Sequence, residues 1–347
     1  MTFIHERLEQ NRTLLAEAAA PRTLTSRFLF DPEQVMATLR ERIIGQDAVL
    51  EQVHALLKVV KADIGDPERP LAVNLFIGST GVGKTELVRL LALAIHGKPD
   101  ALCRIDMNTL NQEHYAASLT GAPPGYVGSK EGTTLFDAEA IAGTYSRPGI
   151  VLFDELEKAS QGVLRSLLNV LDSGRLTLTA GSHTLDFRNS LIFMTSNIGA
   201  EAAGSYRQRF AGGWRRMLGL QPVNEQRVLE EALFERFEPE FLNRIDRILY
   251  FRRLGEAHVD AMLGIELDKL NRRLGKHGRS LQLTPAARRW LCSRYDPRFG
   301  GREMVRALRT QVEPAVADAL VRWPQVRQFQ AAHDARGWIL RAADSDG

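Results

Sequence analysis

The sequence predicts an α/β fold: a parallel sheet flanked by helices, followed by a smaller, mainly helical unit with a C-terminal β-hairpin. Three observations predict it. A short apolar run, LAVNLFI (71–77), enters the glycine-rich stretch GSTGVGKT (78–85), and a helical pattern, TELVRLLALAIHG (85–97), leaves it. A second apolar run, GIVLFD (149–154), ends in two carboxylates, Asp154 and Glu155. Near residues 252–254 alternating strands and helices give way to mostly helical periodicity.

The glycine-rich stretch fits G-x-x-x-x-G-K-[ST], the phosphate-binding loop, in its required strand-to-helix context. Gly78, Gly81 and Gly83 let the backbone N–H groups from Gly78 through Ser79, Thr80, Val82 and Lys84 curl around phosphate oxygens. The helix N-terminus adds partial positive charge. Lys84 is placed to reach the β- and γ-phosphates, and Thr85 to hold Mg²⁺ through its hydroxyl. At the end of the second run, Asp154 suits the Mg²⁺ shell, and Glu155 suits orienting and deprotonating a water. ATP or GTP with Mg²⁺ is the ligand these residues imply.

Composition sets bounds on the rest. The chain has 347 residues, 44% hydrophobic and 25% charged, enough for a sizeable core in two packed units. A net charge of +3 is too small to argue for nucleic acid. Cys103 and Cys292 lie far apart, which fits reduced thiols rather than a disulfide or zinc framework. The opening MTFIHERLEQ carries charges where a leader would be apolar, and LVRLLALAIHG is too short and too charged to span a bilayer. A soluble, cytoplasmic protein without membrane contact is expected.

Taken in order, residues 1–35 form an N-terminal extension with Ile4, Leu8, Leu14 and Leu15 at roughly helical spacing; it packs on the body or binds a partner. Residues 36–252 are expected to form the nucleotide-binding unit and 253–347 the helical one. Helices are predicted over 32–43, over 47–62 and over 112–119, and ALCRIDM (101–107) reads as a strand. GAPPGYVGSKEGT (121–133) is too rich in Gly and Pro for either, so it is a loop. Tyr126 within it either folds back on the core or stays exposed to grip something, and its glycine neighbours favour the second. QGVLRSLLNVLDSG (161–174) is a helix with Leu164, Leu167, Leu168 and Leu171 on one face, and RLTLTAGSHTLDF (175–187) is a hairpin. NSLIFMTSN (189–197) is a buried strand whose terminal Asn197 faces the ligand crevice of an open α/β sheet. After a Gly/Ala/Arg-rich insertion (199–222), a helix covers 225–237 and PEFLNRIDRILYF carries Arg244 and Arg247 around Asp246. Three helical stretches follow (256–278, 284–295, 301–323), then a hairpin over 327–343.

The finer motifs RIIGQD (42–47), RIDM (104–107), GAPPGYVG (121–128), DELEKA (154–159), LDSGRL (171–176), MTSN (194–197), PEFLNRID (239–246) and YDPRFGGRE (295–303) resemble the second ATPase module of Clp-family AAA+ proteins, the ClpB/ClpA/ClpC-type unfoldases. The resemblance spans roughly residues 38–343. It implies that Ile43, Ile44 and Gly45 line the adenine pocket and that Asn197 reads the γ-phosphate. It implies that Arg244 is a finger acting on a neighbouring subunit's nucleotide, and that Arg302 swings onto bound ATP with the small unit. Gly125, Tyr126, Val127 and Gly128 would line a pore through which polypeptide is threaded, in a homo-oligomeric ring, by family a hexamer. Relatives that feed a peptidase chamber carry an apolar-Gly-apolar tripeptide where this chain has Leu218-Gly219-Leu220; an inward-packed turn is the other reading. Departures from the family pattern are Asn108-Thr109 after RIDM, where relatives often carry an acidic pair, and Gly301 beside Arg302. The rival functions are a nucleic-acid-handling ATPase, disfavoured because Gly121–Gly128 holds no basic residue, and a nucleotide-dependent assembly scaffold.

Overall fold

The computed structural model describes residues 26–110, 136–177, 184–199, 225–296 and 299–343. The Tyr126 loop, the expected helix over 112–119, the Leu218-Gly219-Leu220 tripeptide and most of the N-terminal extension lie outside those residues.

A five-stranded sheet runs through the larger part of the molecule. Its strands are β1 (Ala72–Ile77), β2 (Cys103–Asp106), β3 (Gly149–Asp154), β6 (Ser190–Ser196) and β7 (Arg247–Tyr250), in the order β2-β3-β6-β1-β7 and all parallel. Every residue of β1, β3 and β6 is buried, as expected for parallel strands covered on both faces. Alternate side chains serve two cores. Val73, Leu75 and Ile77 of β1 join Val151, Phe153, Ile192 and Met194 on one face. Ala72 and Phe76 join Ile150, Leu152, Leu191 and Phe193 on the other. Helices α1 (Pro32–Arg42), α2 (Asp47–Ala62) and α3 (Lys84–His96) cover the second face. Against the first lie α5 (Gln161–Ser173), the end of α6 (Glu225–Arg236) and α7 (Pro239–Leu242).

Helix α5 shows why the local sequence folds as it does. Ser160 Oγ accepts a hydrogen bond from Val163 N at its start, and Gly174 ends it in the left-handed region at φ 61°. Val163, Leu164, Leu167, Val170 and Leu171 are its buried face; Leu168 lies at the margin, only partly covered. A hairpin follows, β4 (Arg175–Thr177) against β5 (Thr184–Asp186). The short helix α4 (Ala138–Ala142), capped by Asp137, has no counterpart in the sequence reading.

The smaller part has its own core, from Leu254 to Leu340. It contains α8 (Val259–Gly275), α9 (Pro285–Ser293), α10 (Gly301–Ala307) and α11 (Glu313–Arg322). A five-residue π-turn, Leu308–Val312, joins α10 to α11, just where Pro314 withholds a backbone donor. The C-terminal hairpin, β9 (Gln328–Asp334) and β10 (Gly337–Ala342), is present and carries an unanticipated third strand, β8 (Ser280–Leu283), parallel to β9. Among the described residues no helix is long and apolar enough to cross a membrane.

One buried amide ties these parts together. Gln46 is 2% exposed. Its Nε2 donates to Arg252 O at 2.8 Å and to Val82 O at 3.3 Å, and its Oε1 accepts from Arg252 N at 3.0 Å. One side chain thus joins the turn before α2, the phosphate loop and the passage into the helical unit. Gln46→Ala strands a buried N–H and two carbonyls and should cost about 2–3 kcal/mol of stability, read from the denaturant midpoint.

Candidate active site

A cleft of about 400 Å³ opens at the C-terminal ends of β1, β3 and β6. This is where an open parallel sheet takes its ligand. The turn Arg42–Ile44 and the loop Thr80–Thr85 form one wall. Met262, Ile265, Lys269 and Arg302 from the helical unit form the other.

The loop closes around Lys84, which is buried. Its Nζ donates to Gly78 O at 2.5 Å, Ser79 O at 3.0 Å and Asn197 Oδ1 at 2.8 Å, which uses all three ammonium hydrogens. Burial pushes its pKa down to about 8, against the pull of Glu157, Asp154 and Glu155, and Arg302 adds to the depression. Helix α3 starts here and aims its N-terminus into the cleft. Ser79 Oγ is buried with no hydrogen-bond partner among the described residues. A cation and a helix N-terminus facing the cleft together suit a phosphate group.

The second oxygen cluster gathers around Asp154. Its Oδ1 accepts from Thr85 Oγ1 at 3.2 Å and makes a short bond with Thr195 Oγ1; its Oδ2 accepts from Arg104 Nη2 at 2.6 Å. Among the described residues no three His, Cys, Asp or Glu side chains converge as a metal cage. Thr85 and Asp154 offer two hard oxygen ligands, which suits Mg²⁺, an ion that completes its shell with water and substrate phosphate. Glu155 lines the cleft in left-handed backbone at φ 59°, a conformation costing a non-glycine residue about 1 kcal/mol or more. Its N–H donates to Thr195 Oγ1 at 3.1 Å, so the same hydroxyl steadies the Asp154 carboxylate and the Glu155 main chain.

The helical unit meets the loop main chain to main chain. Gly301 N donates to Gly81 O at 2.9 Å. Gly81 has φ +79°, and a Cβ there would come within 2.4 Å of Phe299 O; one on Gly300 would come within 2.7 Å of Gly81 O. Arg302 is the second residue of α10 and lines the cleft. Lys269 also bridges the units, 3.3 Å from Glu86, although an ion pair this exposed is worth under about 1 kcal/mol.

The sequence-predicted residues therefore converge with some exceptions. Thr80 to Thr85, Asp154, Glu155, Asn197, Arg302, Ile43 and Ile44 line the cleft. Gly45, Gly78 and Ser79 do not; they stand behind its wall. A Cβ on Gly45 would meet His258 and Leu254, while Gly78 and Ser79 give their carbonyls to Lys84. Arg244 stands apart from the cleft, paired with Asp172 at 2.8 Å. Sequence reasoning missed Arg104, Thr195, Gln46 and Glu157, although all four lie inside motifs or strands it had marked.

Comparison with known proteins shows the family. The family described as AAA domain (Cdc48 subfamily) matches residues 69–248, and the C-terminal, D2-small domain, of ClpB protein matches 254–327. The chain is 47% identical to an ATP-dependent protease ATP-binding subunit-like protein AmiB of Pseudomonas aeruginosa, over 91% of this chain and 86% of the relative. It is 41% identical to an ATP-dependent protease ATP-binding subunit-like protein of Rhodococcus erythropolis, over 84% of each. It is 36% identical to the ATP-dependent Clp protease ATP-binding subunit ClpC of Staphylococcus saprophyticus, over 86% of this chain but 36% of that longer relative.

A lysine depressed to about 8 makes nucleotide binding pH-dependent. Bound phosphates favour the ammonium, so binding near pH 8.5 should draw a proton from buffer, whereas binding near pH 6.5 should not. Raising pH from 7 to 9 should weaken affinity about tenfold. Calorimetry in buffers of differing ionisation enthalpy measures the uptake, and Lys84→Met should abolish it.

Proposed function

The chain belongs to the Clp family of AAA+ ATPases, and from that premise we propose that it is an ATP-driven protein unfoldase working as a homo-oligomeric ring. The observation that carries the reading is the cleft itself, walled by both units and with the helical unit resting on Gly81 of the phosphate loop. A ligand filling such a cleft changes how the two units sit. We take 36–252 and 253–347 as the parts that move.

The chemistry assigned to each residue follows from its position. Lys84 exchanges the loop carbonyls and Asn197 for phosphate oxygens, and Asn197 reads the γ-phosphate and helps place the attacking water. Ile43 and Ile44 hold the base by apolar contact. Thr85 and Asp154 would hold Mg²⁺, which when bound would neutralise charge on the phosphate oxygens. Glu155 takes a proton from water as that oxygen bonds to the γ-phosphorus and the bond to ADP breaks. Arg302 reports the nucleotide to the helical unit. Arg244, outside its own cleft, serves the neighbouring subunit's site; a finger in trans adds on the order of 10³–10⁵ in rate.

The substrate is polypeptide, gripped by Tyr126 and Val127 between Gly125 and Gly128 through apolar contact that reads no sequence. The relatives' names, ATP-dependent protease ATP-binding subunits, support a peptidase partner, for which Leu218-Gly219-Leu220 is the candidate dock. The two free cysteines, Cys103 and Cys292, fit the cytoplasm.

Glu155→Gln should bind ATP with hydrolysis reduced more than a hundredfold, and should retain unfolded protein in stable rings, seen by size-exclusion chromatography. Normal turnover in that variant removes Glu155 from its role. Tyr126→Ala should lower the number of folded substrates unfolded per ATP hydrolysed more than tenfold. If single-stranded DNA alone stimulates hydrolysis and unfolded protein does not, the unfoldase reading fails.

A further inference from the structure

Just past β6, Asn197 presents a primary amide whose two ends differ: Oδ1 can only accept and Nδ2 can only donate. Which end faces the cleft decides what the residue can do there. The surroundings permit one answer. On the cleft side stands the Lys84 ammonium, a pure donor, 2.8 Å from Oδ1. On the far side stands the Glu157 carboxylate, a pure acceptor. Glu157 Oε1 accepts from Asn197 Nδ2 at 3.2 Å and from Asn197 N at 3.3 Å. A flipped amide would set NH₂ against the ammonium and oxygen against the carboxylate, two repulsive contacts in place of two hydrogen bonds.

Glu157 is itself held from behind. Arg236 Nη2 donates to Glu157 O at 3.0 Å and to Ala159 O at 2.6 Å, and Arg236 Nε reaches Glu157 O at 3.2 Å. The guanidinium of α6 thus fixes the turn that carries Glu157. The Glu157 Oε2 atom is buried without a hydrogen-bond partner among the described residues. A carboxylate kept half-buried for a structural bond would be expected to use both oxygens. This one directs a single oxygen at both N–H groups of Asn197.

We infer that Glu157 is a positioning residue that locks the amide of Asn197 with its oxygen toward the cleft, so that Asn197 acts on bound nucleotide as a hydrogen-bond acceptor. An acceptor does not hydrogen-bond a γ-phosphate oxygen directly, so Asn197 reads that phosphate through the water lying against it. It can take an O–H of the attacking water once Lys84 has turned to the phosphates. The water then offers one hydrogen to Asn197 and the other to Glu155, which points a lone pair at phosphorus. The inference rests on the proposed hydrolytic role of Asn197 and gives that role its polarity.

The test is steady-state ATP hydrolysis by the full chain, with kcat and KM separated and thermal midpoints recorded. Asn197→Ala should lower kcat more than tenfold. Glu157→Ala should lower kcat at least tenfold with KM changed less than threefold, because nucleotide contacts persist while the amide is released. Glu157→Gln can accept the same two bonds through its amide oxygen and should restore most of the loss. Asn197→Asp sets carboxylate against carboxylate and should be poor; Glu157→Gln added to it supplies an N–H donor and should recover kcat at least fivefold. If Glu157→Ala does not fold, the Asn197→Asp cycle decides alone. Turnover within twofold of the parent in Glu157→Ala, or no rescue in the double variant, overturns the inference while an impaired Asn197→Ala leaves the role of Asn197 standing. An unimpaired Asn197→Ala removes both.

Discussion

Lys84 holds the phosphate loop closed, and the arrangement of the whole cleft follows from how its charge is balanced. Taking an ammonium out of water costs several kcal/mol unless its hydrogens and charge are answered. Three oxygens answer the hydrogens, two from its own loop and one from Asn197 just past β6. Asp154, Glu155 and Glu157 answer the charge without contacting it. Because those carboxylates sit on or just after β3, the order β3-β6-β1 in the sheet is what brings charge and countercharge together. The lysine is left only partly compensated, as its depressed pKa shows, and so favours an arriving anion.

The second requirement is that the cleft have two walls that sense each other. Gln46 meets it at the chain's passage from one unit to the other, bonding Arg252 on both its N–H and its C=O. Gly81 and Gly301 meet it at the loop. The surface bridge from Lys269 to Glu86 adds little by comparison, since both groups remain near water. Neither of the two important links involves a charged side chain, so neither depends much on salt.

The legible parts of the sequence were those in which one physical demand dominates. β1, β3 and β6 are buried on both faces and read as plain apolar runs; α3 and α5 carry a helical stripe bounded by glycine. The phosphate loop was legible because a close backbone approach leaves only glycine at several positions. β7 was hidden because RILY is short and only Leu249 of its four residues is fully buried, and it follows a helix that ends after one turn at Leu242. β8 was hidden for a similar reason, with two apolar residues between helical patterns. In the site, direct ligands were legible from their motifs. Glu157, Thr195 and Arg104 were not, because they act on other side chains, and only the fold shows which atoms they face. Gln46 reads as an ordinary polar residue until both ends of its amide find the same backbone.

The contact between Gly81 and the Phe299–Gly301 turn is made by main chains, with no room for a Cβ on Gly81 or on Gly300. Most contacts between moving parts are made by side chains, and a lineage can strengthen or weaken them by small steps through chemically related residues. Two positions that exclude every Cβ have no such series of neighbours in sequence space, whereas Gly301 leaves ordinary contact distance for one. At Gly81 and Gly300 the joint can only be kept or broken, so any graded adjustment of how the two units meet falls to Gly301 and to the residues around the joint.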